Sequence, residues 1–398
     1  MIREAARFWR SRSPEIHPST GTSIGLDAVP RGTLEVTILA APARVGGLET
    51  VVAALALGLA RRGHQVRVLS LLGTGADDRC VPFESLGAAG VEVTEGRFPG
   101  RSYRRERDWV AERLARLPGT VVHCHGYHAD LVGWWATRRV PRPMMSTAHG
   151  FSARTARGRV YEWLDRWVLA RSDAAIAVSR PLRELLIGSG VAAARVHLVV
   201  NAWSAGGAPL DRGEARRRLG LPEGGPAIGW VGRLTSEKGP DVMVAAAAAL
   251  PRETPVSMIG EGAMGPALHR EAQRLGLTAV RWHGMVPAAA SLMGAFDVIA
   301  LSSRTEGTPM VLLDAMATGV PIVTTAVGGI PDLISPTEAI LVPPDDPTAL
   351  AAAIRRCLED PAAARARAEA ARGRLHRDHQ ESAWLDRHEA IYRSIGCR

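Results

Sequence analysis

Short apolar runs, each followed by a glycine- or proline-bearing turn and then by apolar positions at helical spacing, alternate along most of the chain. Val36 to Ala40 reads as the first strand. The turn Ala41-Pro42-Ala43-Arg44-Val45-Gly46-Gly47 leads into a helix from Leu48 to Arg62, closed by Gly63, and Gln65 to Leu71 is the next strand. Further runs follow at Val91 to Thr94, Val121 to His123, Met144 to Thr147, Ala174 to Val178 and Val196 to Val200, with a helix around Trp109 to Arg116. Alternation pauses at Ala202-Trp203-Ser204-Ala205-Gly206-Gly207-Ala208-Pro209. It resumes with strands at Ala227 to Val231, Val256 to Ile259 and Val280 to His283, and helices at Val242 to Leu250 and Ala267 to Leu275. Strands separated by helices cannot pair as hairpins, so parallel sheets with crossover helices follow. The pattern predicts an α/β chain of two doubly wound, Rossmann-like domains facing a central cleft, the first over residues 33–203 and the second over 204–381. A basic, flexible extension, 1–32, precedes them. A last helix, Ser382 to Ile395, has Trp384, Leu385, His388, Ile391 and Tyr392 on one face, and either packs back on the first domain or caps the second.

The most informative stretch is Ser302 to Glu338. The buried strand Val298 to Leu301 runs into the polar turn Thr305-Glu306-Gly307-Thr308. Pro309 then stands where a first helical residue is favoured, and Gly319 closes the helix. A second strand, Val320 to Thr325, ends at Gly328-Gly329. Free N–H groups and the positive dipole end at this helix start suit an anion such as a phosphate. Glu306 in the loop and Asp314 in the helix are eight residues apart, and two acids beside an anion site suit sugar or ribose hydroxyls.

Composition narrows the class. Hydrophobic residues make up 46% and charged residues 22% of 398, as in globular proteins of two or three domains. Cys80, Cys124, Cys357 and Cys397 form no C-x-x-C pair, so a disulfide framework or zinc knuckle is not expected, and a reducing cytoplasm fits. No apolar run reaches the ~18–20 residues of a membrane span, and no secretory leader is read. Residues 1–205 carry 28 basic and 18 acidic side chains, a net of +10, whereas the remainder nets −1. Either an anionic partner, such as a membrane surface or lipid-linked phosphate, meets the first half, or its surface is merely arginine-rich. Nucleic acid is not expected, because no basic–aromatic stacking pattern appears. Lys238 is the only lysine of the chain, which hints at a role that arginine's planar fork does not fill.

Arg233 and Lys238 share one strand-to-helix loop, Gly232-Arg233-Leu234-Thr235-Ser236-Glu237-Lys238-Gly239, and a fork and a point charge together suit a diphosphate. Gly260-Glu261-Gly262-Ala263-Met264-Gly265 matches G-x-G-x-x-G, but no acid follows Val280-Arg281-Trp282-His283, and Pro266 intrudes at the helix start. A nicotinamide site is therefore discounted and a nucleotide-facing glycine turn kept. His123, His125 and His128 lack an acid to complete a metal site. His149, before Gly150, sits at a strand end, where open α/β sheets bind ligands. No G-x-S-x-G elbow or Walker loop is present.

Together these residues resemble the retaining GT-B glycosyltransferases of glycosyltransferase family 4 over about residues 34–395. The E-x7-E element, here TEGTPMVLLDAMATGVPIV followed by VGGIPDLI, is the most specific part, and the G-R-L-x-x-E-K-G loop comes next. Gly46-Gly47-Leu48-Glu49, His125-Gly126, His149-Gly150 and Ala177-Val178-Ser179 are weaker matches. The resemblance implies the GT-B fold and a nucleotide-diphosphate sugar held by the second domain. Arg233 and Lys238 would grip the diphosphate with N–H groups of Gly47 and of the run Gly307, Thr308, Pro309, Met310 and Val311, Pro309 contributing position only. Gly262 would face the nucleotide, Glu306 the donor sugar, Asp314 the ribose, and His149 the transferred sugar. Gly46 and His125 would lie on the acceptor side. Glu306, His149, Arg233 and Lys238 are thus the implied catalytic set, with no cofactor and no metal. The implied reaction is sugar transfer with retention to a saccharide or lipid-linked acceptor of cell-envelope or exopolysaccharide assembly, at the inner membrane face. The alternatives are a sugar-nucleotide epimerase of the same fold and a non-catalytic subunit. Asp314 for the usual glutamate, and Asn201-Ala202-Trp203 for the usual Asn-Gly turn, depart from the family pattern.

Overall fold

The computed structural model describes residues 32–42, 46–74, 81–151, 156–204 and 209–396. The extension expected over 1–32 thus lies outside the described residues save for Gly32, as do 43–45 of the first glycine turn and 205–208 of the mid-chain stretch.

Strands β1 (Glu35–Ala40), β2 (Gln65–Leu72), β3 (Glu92–Arg97), β4 (Val121–His125), β5 (Met144–Ala148), β6 (Ala174–Ala177) and β7 (Val196–Leu198) form one sheet. Their order is β3-β2-β1-β4-β5-β6-β7, and every pairing is parallel. The central strands read as near-continuous apolar runs because helices cover both faces, whereas the edge strand β3 is largely polar. On one face Val36, Ile38 and Ala40 pack on α1 (Gly47–Arg61). On the other, Leu39 packs with residues of α2 (Tyr103–Ala115) and α3 (Tyr127–Thr137). The crossovers α4 (Ala156–Leu169) and α5 (Arg180–Gly188) carry the chain from β5 to β6 and from β6 to β7.

The second sheet repeats the plan with β8 (Ile228–Val231), β9 (Val256–Ile259), β10 (Val280–Gly284), β11 (Val298–Leu301), β12 (Ile322–Thr325) and β13 (Ile340–Val342), in the order β10-β9-β8-β11-β12-β13. In both sheets the order reverses beside the first strand. The crevice at such a switch point, outside the carboxyl ends of the strands, is where ligands bind in open α/β folds. Helices α6 (Arg212–Arg218), α7 (Pro240–Ala247), α8 (Gly265–Arg274), α9 (Met310–Thr318), α10 (Pro347–Glu359) and α11 (Pro361–Asp378) complete this half. Pro266, read above as an intrusion, lies in the first turn of α8, where its missing N–H costs nothing.

The chain crosses between the halves twice, side by side. Trp203 N–H donates to the His379 carbonyl at 3.2 Å, and Trp203 pairs with Gln380 in an isolated bridge. The last helix, α12 (Glu381–Gly396), follows the second crossing and lies on the first half. Trp384, Leu385, Ile391, Tyr392 and Ile395 enter the α1 core, and Arg62 bonds Asp386 (2.6 Å) and Glu389 (2.7 Å). Gly58 makes room for this docking, since a Cβ there would stand 2.7 Å from the Leu385 side chain. No helix among the described residues is long and apolar enough to cross a membrane.

Candidate active site

The carboxyl ends of the two sheets meet at the loop before α9. Glu306 is 6% exposed, and both its oxygens accept from Lys238 Nζ at 2.8 Å. Ser303 Oγ donates to Glu306 Oε1 at 2.6 Å, which fixes the carboxylate from behind. Lys238 ends a short 3-10 turn, Ser236–Lys238, tied to the α9 loop by the Glu237 carbonyl, which accepts from Arg304 N–H at 2.8 Å. Ser302 Oγ adds a bond to the Gly239 carbonyl at 2.6 Å and accepts from Trp230 Nε1 at 3.0 Å. The Arg233-to-Lys238 loop and the α9 loop are therefore one framework, which places the lone lysine and the α9 helix tip together. Arg233 sits on the same framework but turns to Glu237 at 3.1 Å with its guanidinium largely exposed. Gly262 packs against this loop, leaving no space for a Cβ against the Leu234 backbone.

Pro309 caps α9 rather than forming its first residue, and its carbonyl accepts from Leu312 N–H at 3.0 Å. The N–H groups of Met310 and Val311 have no acceptor within the helix, as expected in a first turn. Gly47, at the start of α1, lies across from Met310: a Cβ on it would be 3.7 Å from Met310 Cγ. Gly46 precedes it, hard against the Glu49 side chain. The Thr308 hydroxyl is engaged, donating across the cleft to the Val178 carbonyl at 2.7 Å. Gly307 and Gly329 let the two halves approach closely. A Cβ on Gly307 would stand 2.9 Å from Val178 Cγ2 and nearer still to the His149 carbonyl oxygen, and one on Gly329 would stand 2.6 Å from Ser179 Cβ.

Asp314 is half-buried in α9 and accepts from Trp203 Nε1 at 3.2 Å. Burial pushes its pKa up to about 7 against the lowering effect of that bond. The mid-chain crossing is thereby linked to the helix that carries the site.

On the first half, His149 Nε2 meets His125 Nδ1 at 3.0 Å. Burial, then the neighbouring His388, lowers the His149 pKa to about 4, so its ring is neutral at neutral pH. Burial, reinforced by His123, His149 and His388, depresses His125 as well. Behind them His123 bonds Tyr392 Oη at 2.7 Å and Thr147 Oγ1 at 2.8 Å, so α12 supports the strand ends that carry His125 and His149. His128 diverges, bonding Glu106 at 2.7 Å, and Cys124 points to the opposite face among α3 residues. Sequence reasoning passed over Ser303, Val178 as a hydroxyl acceptor, and the Trp203–Asp314 bond. The Ser302-Ser303 pair before the acidic turn was the available signal for the first.

Comparisons with known proteins bear on this arrangement. The family description "Glycosyltransferase Family 4" matches residues 45–203, and "Glycosyl transferases group 1" matches 225–360. Glycogen synthase of Mycobacterium tuberculosis is 32% identical over 374 residues, covering 85% of this chain and 88% of that protein. D-inositol 3-phosphate glycosyltransferase of Xylanimonas cellulosilytica is 30% identical, covering 86% and 91%. Among solved structures, Anabaena HepE in complex with UDP and glucose superposes with a TM-score of 0.80 at 20% identity, covering 91% of this chain and all of that one. Sucrose-phosphate synthase of Thermosynechococcus elongatus gives 0.76 at 23%, covering 91% and 99%. The structures share the two-sheet architecture, and the sequence matches span both halves. The chain belongs to the GT-B glycosyltransferases.

Proposed function

We propose that the protein is a retaining glycosyltransferase that moves a sugar from a nucleoside-diphosphate sugar to a lipid-linked or polysaccharide intermediate of cell-envelope or exopolysaccharide assembly, working at the inner face of the membrane. The observation that carries this reading is the lone lysine poised 2.8 Å from a buried glutamate at the tip of α9. The donor's diphosphate lies between Lys238, Arg233 and the N–H groups of Met310 and Val311. Lys238 then shares its charge between Glu306 and the departing phosphate. Arg233 swings from the exposed Glu237 contact, a pair worth little in water. Positive charge fixed in advance where the leaving group becomes negative lowers the barrier more than any other device open to such a site. Glu306 faces the donor sugar, Asp314 the ribose, and neutral His149 hydrogen-bonds a sugar hydroxyl. Gly47 closes the diphosphate from the first half, with Gly46 and His125 on the acceptor side. The two cations and the helix end neutralise the phosphates, so no metal is assigned a role. The HepE complexes contain UDP, glucose or UDP-glucose, and glycogen synthase is named for a polysaccharide product, which supports donor and acceptor class alike.

A thermal-shift panel of UDP-, GDP- and ADP-sugars tests the donor. The right one at a hundred times its dissociation constant stabilises the fold by about 2.7 kcal/mol. Incubation of that donor with membrane lipid extract, followed by NMR of the product's anomeric centre, tests transfer and retention. An isomerised donor formed without acceptor, or an inverted product, contradicts the proposal.

A further inference from the structure

The charge excess of the first half is not spread over it. Residues 97–171 contain fifteen arginines against six acidic residues, a net of +9 that equals the formal charge of the whole chain. The same segment holds five of the ten tryptophans. It builds α2, α3 and α4, and α5 is the next crossover along the sheet. Three of the six acids, Glu106, Asp130 and Asp165, are buried, so they offset little of this charge at the surface.

The large hydrophobic side chains exposed among the described residues are Val160 (55%), Trp163 (50%) and Leu185 (42%). Val160 and Trp163 are three apart on α4 and share its outer face. Leu185 is on α5, one turn from Ser189, which with Trp163, Arg166 and Arg171 lines a hollow of about 440 Å³ between the ends of the two helices. Around this apolar ridge the guanidiniums are braced by rings. Arg171 lies 3.9 Å from the Trp167 ring centre and Arg138 5.3 Å from that of Trp134, and those two indoles pack edge to face at 4.6 Å. Arg138 and Arg171 are exposed, and partial desolvation, then the Arg138 charge, lowers the Arg171 pKa. Cations held close together on rigid aromatic supports are a receptor for anions.

We propose that the α3–α4–α5 face docks on an anionic lipid bilayer, with Val160, Trp163 and Leu185 entering the headgroup region and Arg138, Arg166 and Arg171 at the phosphate level. Amphipathic indole belongs at the membrane–water boundary, and arginine's fork matches phosphate. The apolar ridge rimmed with cations suits that boundary in both of its parts. The placement serves the reaction: α4 starts just beyond His149-Gly150 at the cleft end of the sheet, so Val160 near its start holds the cleft rim against the membrane. The inference builds on the lipid-linked acceptor proposed above and gives it a path of approach.

Sedimentation of the full chain with vesicles of phosphatidylcholine alone, or with added phosphatidylglycerol, tests it. Binding is expected only with phosphatidylglycerol and should fall with salt. Each guanidinium removed should weaken it about fivefold, so Arg138→Gln/Arg171→Gln loses about 25-fold. Val160→Ser/Trp163→Ala should lose at least about tenfold. Arg270→Gln/Arg355→Gln, which removes the same charge from the second half, should bind as wild type. Absence of phosphatidylglycerol-dependent binding, equal loss in the Arg270/Arg355 control, or wild-type binding by both patch variants overturns the proposal. Nucleotide release from the donor in vesicle-free buffer, measured on the same preparations, reports separately on the transferase reading.

Discussion

Gly307→Ala probes whether the reaction needs the two halves closed on the α9 loop. The new Cβ would stand 2.9 Å from Val178 Cγ2 and closer to the His149 carbonyl oxygen. One neighbour is backbone and the other a stiff β-branched side chain, so neither gives way, and the halves must part by roughly 1 Å. Overpacking of this kind costs about 1–3 kcal/mol where a core cannot relax. Here the strain relaxes through movement of one half against the other, so the melting temperature should change little. Catalysis should not escape, because displacement of about 1 Å between reacting groups costs about a hundredfold. Transfer assays with purified acceptor should show kcat about a hundredfold lower. Calorimetric titration should give a donor affinity within about threefold of wild type, since the cations lie on the second half and a threefold change is well under 1.4 kcal/mol. Thr308→Val removes only the bond to the Val178 carbonyl, worth about 1 kcal/mol, and should fall between the two. A Gly307→Ala enzyme with unchanged kcat would refute the closed arrangement as the reacting one.

Further predictions concern the supports of the site. Tyr392→Phe leaves buried His123 Nδ1 without its 2.7 Å partner, and urea denaturation should show a loss of about 1–3 kcal/mol. His149 is neutral down to about pH 4, so the acid limb of the pH–rate profile should lie below the ordinary histidine range. His125→Asn, which removes the 3.0 Å contact, should lower kcat while leaving nucleotide affinity intact. Burial raises the Asp165 carboxyl to about 6, beside Asp130, which Ser146 caps. Its protonated form is the one the fold favours, so the stabilising effect is complete below its unfolded pKa near 4 and is lost as pH rises through about 6. Asp165→Asn should therefore gain relative to wild type, by a few kcal/mol, between pH 4 and 7 in equilibrium melts, and no further above that.

The strand pattern was legible because the central strands of both sheets are buried on both faces and so stand out as apolar runs, whereas the edge strand β13 was not read, and the glycine closures of α1 and α9 marked their ends. Boundaries moved by a residue or two at most ends, as at Pro309, by three at the ends of β3 and α7, and by six at the start of α2. Helices α3, α4, α5, α6, α10 and α11 were not read. The last is the clearest case: PAAARARAEAARGRLHRD buries only Ala364, Ala368, Ala371 and Leu375, so its packing face carries almost no hydrophobic contrast. The signal that was present lay in the caps, Asp346-Pro347 and Asp360-Pro361, whose carboxylates accept from Ala349 and Ala363 N–H. Lys238 and Glu306 were singled out from their loops, yet their mutual contact depends on tertiary closure across 68 residues. The Trp203–Asp314 bond joins a linker to a helix 111 residues away, and no local pattern encodes it.

The proposed chemistry rests on Lys238, Arg233 and the tip of α9 acting together as a diphosphate receptor. Calorimetric comparison of a nucleoside diphosphate with its monophosphate, using whichever of UDP, GDP or ADP raises the melting temperature most, puts that to the test. In wild type the second phosphate should tighten binding by at least about tenfold, or 1.4 kcal/mol, and in Lys238→Ala/Arg233→Ala that gap should vanish while the monophosphate binds as before. Equal affinity for the two nucleotides in wild type, or a gap that survives the double substitution, would show that the receptor lies elsewhere.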